Sequence, residues 1–265
     1  MQYTKFKNKP VIACIHLLPT PGTYDYDGDI DKIYRHAIDE ARAFENAGVD
    51  ALIVENFRDK PFFPDLVPNE TVATIAGVGR EIIRSVAIPV GIAVLRNDSE
   101  AAISIAASIG ASFVRINIHV GAVLSPQGII QTKAHKTLRL AKSLGADVGI
   151  FADAGVKHSY PLVYENIEQE INDLAGLADA IIISGEKTGL ETNKNDLSIA
   201  KKVSTKPVFI GSGITRENID NYYSEADGFI IGSHFKDEGK ANNLIDEKRL
   251  ERFMKKITSL KNEEK

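Results

Sequence analysis

Eight short runs rich in valine and isoleucine punctuate this chain, at residues 11–17, 51–54, 90–95, 113–118, 148–152, 180–183, 207–210 and 228–231. Glycine, proline, asparagine or aspartate bounds each one. Continuous apolar runs of this length fit strands buried on both faces, as in a parallel sheet. The stretches between them have helical spacing. Residues 30–47 place Ile33, Ala37, Ala41 and Phe44 on one face and stop at Gly48. Similar segments cover 71–86, 99–109, 132–144, 167–177, 196–203 and 217–223, with Asp98, Asp196 and Thr215 placed to cap helix starts.

Strict alternation of strand and helix requires parallel strands joined by crossover helices. Eight such units in 265 residues fit a closed (β/α)8 TIM barrel better than an open doubly wound sheet. No linker or shift in composition divides the chain, so residues 1–265 read as one domain. Two connections that follow strand ends, 18–29 and 57–69, are long and rich in proline, aspartate and aromatics, as lids and binding loops often are.

Composition narrows the partners. A net charge of −4 gives no general attraction to nucleic acid or anionic lipid. No apolar run approaches the length needed to cross a bilayer, and residues 1–9 lack the apolar core of a signal peptide. The single cysteine, Cys14, excludes an internal disulfide and suits a reducing compartment, so a cytoplasmic location is expected. The lysine-rich C-terminus mixes both signs of charge and reads as a solvated helix end.

A phosphate site is expected after the last two strands. The seventh run leads into Gly211-Ser212-Gly213, and the eighth into Gly232-Ser233. Glycines let backbone amides approach an anion, a following helix start adds positive potential, and the serines add hydroxyl donors. Loops at these two barrel positions often hold phosphate. The plain alternative is two tight turns. Nothing matches a P-loop.

The fourth run reads Phe113-Val114-Arg115-Ile116-Asn117-Ile118-His119. Side chains alternate along a strand, so Val114, Ile116 and Ile118 face the helices while Arg115, Asn117 and His119 face the barrel interior. A buried guanidinium demands a carboxylate. Glu55 and Asp153, at the ends of the second and fifth runs, are the candidates, and His16 ends the first. Catalytic candidates are therefore Glu55, Asp153, His16, His119, Arg115 and Asn117, converging on the mouth where barrel enzymes keep their chemistry. Each has a structural alternative: a buried ion pair for Arg115, a core histidine for His16, a loop cap for Asp153. Cys14 reads as a small buried apolar residue. Asn56, Ser184, Gly185 and Thr188 follow strand ends and are candidates for substrate contact, as are Arg58, Arg96 and Asn97. His158, close after Asp153, is the best placed of the remaining histidines. Two histidines and two carboxylates at one mouth suffice for a divalent ion, but no compact His-x-His or His-Glu-x-x-His spacing marks one, so the metal is left open.

These residues resemble a known family. Val11-Ile12-Ala13-Cys14-Ile15-His16-Leu17-Leu18-Pro19-Thr20-Pro21-Gly22 is similar to the opening of the BtpA/SgcQ family, and so is Gly48-Val49-Asp50-Ala51-Leu52-Ile53-Val54-Glu55-Asn56-Phe57. Phe113-Val114-Arg115-Ile116-Asn117 with Gly121, Phe151-Ala152-Asp153, Ser184-Gly185 with Thr188-Gly189, and Gly211-Ser212-Gly213 extend the resemblance over nearly the whole chain. The resemblance implies a ribulose-phosphate-binding barrel. The family's founding member is linked to photosystem I biogenesis or stability, and another member is encoded among sugar-uptake genes. It carries no residue roles with it.

Two functions follow as expectations. One is an enzyme that acts on a sugar phosphate or nucleoside-derived phosphate by acid/base chemistry, as an isomerase, lyase or hydrolase. The other is a non-catalytic assembly or stability factor of the photosystem I biogenesis type, which predicts an external apolar patch. Barrels often pair through their outer helices, so a homo-oligomer is compatible, although no stripe singles out an interface.

Overall fold

The computed structural model describes residues 6, 8–185 and 191–264. In chain order these form β1 (Val11–His16), α1 (Ile30–Asn46), β2 (Ala51–Glu55), α2 (Asn69–Ser85), β3 (Val90–Ala93), α3 (Ser99–Ile109) and β4 (Phe113–Ile116). Next come β5 (Ala122–Ser125), β6 (Gly128–Gln131), α4 (Ala134–Ser143), β7 (Gly149–Ala154), β8 (Tyr160–Pro161) and α5 (Ile167–Ala175). The chain continues with β9 (Ala180–Ile183), α6 (Lys194–Val203), β10 (Val208–Ile210), α7 (Asp220–Tyr223), β11 (Gly228–Ile231) and α8 (Glu247–Glu263). All eight expected runs contain strands, and these close into a parallel barrel in the order β1-β11-β10-β9-β7-β4-β3-β2.

Local chemistry sets the helix ends. Asp98 Oδ1 accepts the Ala101 amide at 2.9 Å at the start of α3, and Gly110, at φ 79°, ends that helix in the left-handed region. Asn193, rather than Asp196, caps α6.

Period-two alternation divides the strands between two cores. On β1, Val11, Ala13 and Ile15 pack outward under the helices, while Ile12 and Cys14 point inward. On β7, Ile150, Ala152 and Ala154 face out, and Phe151 faces in. The lower interior is plugged by aromatics: Phe151 stacks on Phe113 at 4.8 Å and meets Phe209 at 5.2 Å. This apolar plug forms the floor for the polar layer one residue pair further along each strand.

Three features depart from expectation. A three-stranded antiparallel sheet, β6-β5-β8, is inserted between the fourth and sixth barrel strands. The helix expected at 217–223 is only the single turn α7, so no long helix points its positive end at Gly211–Gly213. The C-terminal segment does more than shed charge into solvent: α8 buries Leu250, Phe253, Met254, Ile257 and Leu260. No helix of the described residues is long and apolar enough to cross a membrane.

Candidate functional site

Above the aromatic plug, the inward positions become ionisable. Arg115 donates from Nε to Asp153 Oδ2 at 2.9 Å and from Nη2 to Asp153 Oδ1 at 2.8 Å. Ser184 donates its hydroxyl to Oδ1 at 2.8 Å, and Asn117 Nδ2 donates to Oδ2 at 3.0 Å. Burial alone would raise the Asp153 carboxyl, but Arg115 outweighs it and holds the group below the usual carboxylate range. Asp153 is thus an ionised, fully engaged anchor, set back from the cavity behind Arg115. Of the two carboxylates open to Arg115 from the sequence, register selects Asp153, because Arg115 lies beside Phe151 on the paired strand.

Glu55 has a different partner. Strand register places it directly against His16, and His16 Nε2 lies 2.9 Å from Glu55 Oε1. Burial pushes the Glu55 carboxyl up, yet the His16 contact and nearby cations bring it net below its ordinary value. Phe57 stacks on the imidazole at 4.5 Å, and His16 Nδ1 lies 2.9 Å from the Ala241 carbonyl oxygen. Cys14 sits two residues before His16 on the same face. Its thiol is pushed up to about 12 by burial and by Glu55.

These groups open onto a cavity of about 330 Å³, lined also by Gly211–Gly213 and Gly232–His234. That volume suits a small ligand. Glycine is required at two inward positions. A Cβ on Gly211 would lie 2.4 Å from Ile182 Cγ2 and 3.1 Å from Arg115 Nη2, and one on Gly232 would lie 3.0 Å from the His16 ring. Among the described residues, the amides of Gly213, Ser233 and His234 meet no protein acceptor. The Ser212 hydroxyl is not free in the same way: it accepts the Gly185 amide at 2.8 Å.

Several expected site residues lie elsewhere. His119 falls beyond the end of β4, where alternation no longer governs direction. Its Nε2 lies 3.1 Å from the Leu177 carbonyl oxygen, and the residue does not border the cavity. Asn56 is a clamp between loops, donating to Asp59 and the Leu95 carbonyl and accepting the Leu95 amide at 2.8 Å. Asn97 brackets Ile118 in the same way. Ser184 and Gly185 border a neighbouring cavity, and Ser184 acts on Asp153. Thr188 lies outside the described residues. His158 does border the cavity.

Residues not singled out by sequence reasoning complete the lining. Lys157, four positions after Asp153, is half-buried at the rim, and burial with the Arg115 charge holds its ammonium below the ordinary lysine value. Its position just past a strand end was the available signal. Arg96, already a candidate from the sequence, borders the cavity as well, and its Nη2 donates to the Lys157 carbonyl at 2.6 Å and steadies that loop. Pro61 and Phe62 close one wall, and Pro126 and Gln127, at the tip of the β5–β6 hairpin, close another. Of the two long connections, only the one after β2 reaches the cavity. The earlier one buttresses it, since the Thr20 amide and hydroxyl both donate to Asp59.

The BtpA family model matches residues 7–259. A protein of Methanocaldococcus jannaschii is 43% identical over 97% of this chain and 98% of its own length. The photosystem I biogenesis protein BtpA of Synechocystis is 40% identical over 93% of this chain and 87% of its own length. Among solved structures, thiamine phosphate pyrophosphorylase from Pyrococcus furiosus superposes with a TM-score of 0.60 at 14% identity, covering 97% of this chain and 99% of that one, a likeness of fold. Sequence motifs, barrel and relatives agree: the chain belongs to the BtpA family.

Proposed function

We propose that this protein is an enzyme acting on a small phosphorylated molecule, a sugar phosphate or nucleoside-derived phosphate, by acid/base chemistry. The observation that carries the reading is a juxtaposition. One cavity joins glycine turns with unengaged amides to a layer of buried ionisable side chains. The amides of Gly213, Ser233 and His234 would hold the phosphate. Glu55 with His16 would move a proton, since their 2.9 Å contact lets one pass between them. Arg115 would face a developing oxyanion, with Asp153 as its positioning anchor. Asn117 Oδ1 is buried without a partner, and a substrate hydroxyl would satisfy it. Thiamine phosphate pyrophosphorylase carries a phosphorylated compound in its name, in keeping with this reading.

The test is a thermal-shift panel of sugar phosphates and nucleotides against their unphosphorylated counterparts. At least one phosphorylated compound should raise the melting temperature, and Ser233→Asp should abolish the shift by placing a negative charge among the amides. A panel without any phosphate-dependent shift, or one that survives Ser233→Asp, counts against the proposal.

One observation favours the second reading, an assembly factor. Leu124, Ile129, Tyr160, Leu162 and Val163 are all exposed on or beside the β6-β5-β8 sheet. Together with the name of the Synechocystis relative, that apolar surface supports docking to another protein. Full cellular function in Glu55→Gln, lost in Leu124→Lys, would favour it over the enzyme.

A further inference from the structure

Cys14, His16 and Glu55 do more than border the cavity. Their donor atoms, one sulfur, one imidazole nitrogen and one carboxylate oxygen, all lie within 4.8 Å of one another, and all three residues are buried. We propose that they bind one divalent ion of the zinc class, with the remaining coordination position open to the cavity.

Backbone geometry presents the three ligands together. Cys14 and His16, two apart on β1, share the inward face, and Glu55 is the direct strand partner of His16. None depends on a loop for its placement. Secondary contacts fit a ligating histidine. With the Nδ1 proton donated to the Ala241 carbonyl at 2.9 Å, Nε2 keeps its lone pair and points it at the cluster. That lone pair then faces Glu55 Oε1 at 2.9 Å, so two acceptors meet and require a shared cation or proton. Stacking against Phe57 fixes the ring plane.

Space has been kept beside them. Gly232 lies opposite the cluster, and a Cβ there would come within 3.0 Å of His16 Nε2 and 3.4 Å of Cys14 Cβ. A side chain at this position would crowd the His16 ring and Cys14 on the side that borders the cavity. A thiolate, an imidazole and a carboxylate form a donor set suited to zinc and related first-row ions, and poorly suited to magnesium or calcium. Three protein ligands with one open place is the pattern of a reactive rather than a structural zinc site. Binding releases the Cys14 thiol proton to solvent, leaves His16 neutral and Glu55 ionised, and transfers no electrons. The site stands independently of what the cavity's glycine turns hold; with an ion bound, His16 and Glu55 would be its ligands in place of the proton-moving pair assigned above.

Cobalt(II) provides the test, because Cys14 is the only cysteine in the chain. Full-length protein, stripped with chelator, is titrated with cobalt(II) and then zinc(II). One equivalent of cobalt should bind with a thiolate-to-metal charge-transfer band in the near ultraviolet, and zinc should displace it. Zinc should raise the melting temperature where magnesium does not. Cys14→Ser should lose the band, and Glu55→Gln should bind zinc at least tenfold more weakly, with the zinc-induced rise in melting temperature of each variant read against its own metal-free value. Substoichiometric binding, cobalt bound without the thiolate band, or zinc affinity unchanged in both variants would overturn the proposal. The wild-type spectrum decides the matter alone should either variant fail to fold.

Discussion

Arg115 and Asp153 face each other across β4 and β7 as a fork on a carboxylate, with two parallel hydrogen bonds of 2.9 and 2.8 Å. Both residues are buried, so each charge relies on the other for most of its compensation. Removing one partner strands the other. Arg115→Met should cost about 3–5 kcal/mol in denaturant unfolding. Arg115→Met/Asp153→Asn should be less destabilised than the sum of the two single changes. Strict additivity in that double-mutant cycle would mean the pair is not energetically coupled.

Gly211 is held small by its neighbours. Gly211→Ala places a methyl 2.4 Å from Ile182 and 2.9 Å from the Ser184 hydroxyl, so the polar layer must shift. A loss of about 1–3 kcal/mol is expected. Gly176→Ala, where no atom lies within 4 Å of the new carbon, is the control and should be neutral or stabilising. Equal effects at the two positions would refute the crowding argument.

The aromatic plug carries the floor of the site. Phe151→Ala leaves a cavity between Phe113 and Phe209 and should cost about 3–5 kcal/mol, with Phe151→Leu recovering much of it. Chemical denaturation measures both. A cost for Phe151→Ala below that of an exposed substitution such as Leu244→Ala would show that the floor contributes nothing.

Buried histidines should make the fold acid-sensitive. Burial, with Arg249 nearby, lowers His234 to about 4, and burial lowers His36 and His119 as well. The unfolded chain therefore binds these protons first. The contribution of these histidines is complete above about pH 6.5 and is lost as pH falls, for His234 toward about 4. Glu170 acts in the opposite sense: burial raises its carboxyl to about 7, which favours the fold as pH drops below that point. His234→Gln isolates one contribution, since an amide oxygen can still accept the Arg216 amide. Its melting temperature should fall less between pH 6.5 and 4.5 than that of the unaltered protein. Parallel profiles would remove His234 from the account.

Much of this molecule was legible in its residue order, for one physical reason. A strand has a period of two, and a parallel barrel buries both faces. The apolar runs therefore announced eight strands, and parity placed Glu55, Arg115, Asn117 and Asp153 inside. The same rule held one residue past the end of β4, at Asn117, and failed for His119, where the chain has bent out of the strand. The β6-β5-β8 sheet escaped notice because it is short and half exposed, so its apolar signal is weak. Lys157 lies in a loop, where no periodicity predicts direction. Partner choice was beyond the sequence altogether. Whether Arg115 would meet Glu55 or Asp153, and whether Glu55 would join Cys14 and His16, depends on the register between separate strands. Closure of the barrel fixes that register, and closure is a property of all eight strands at once.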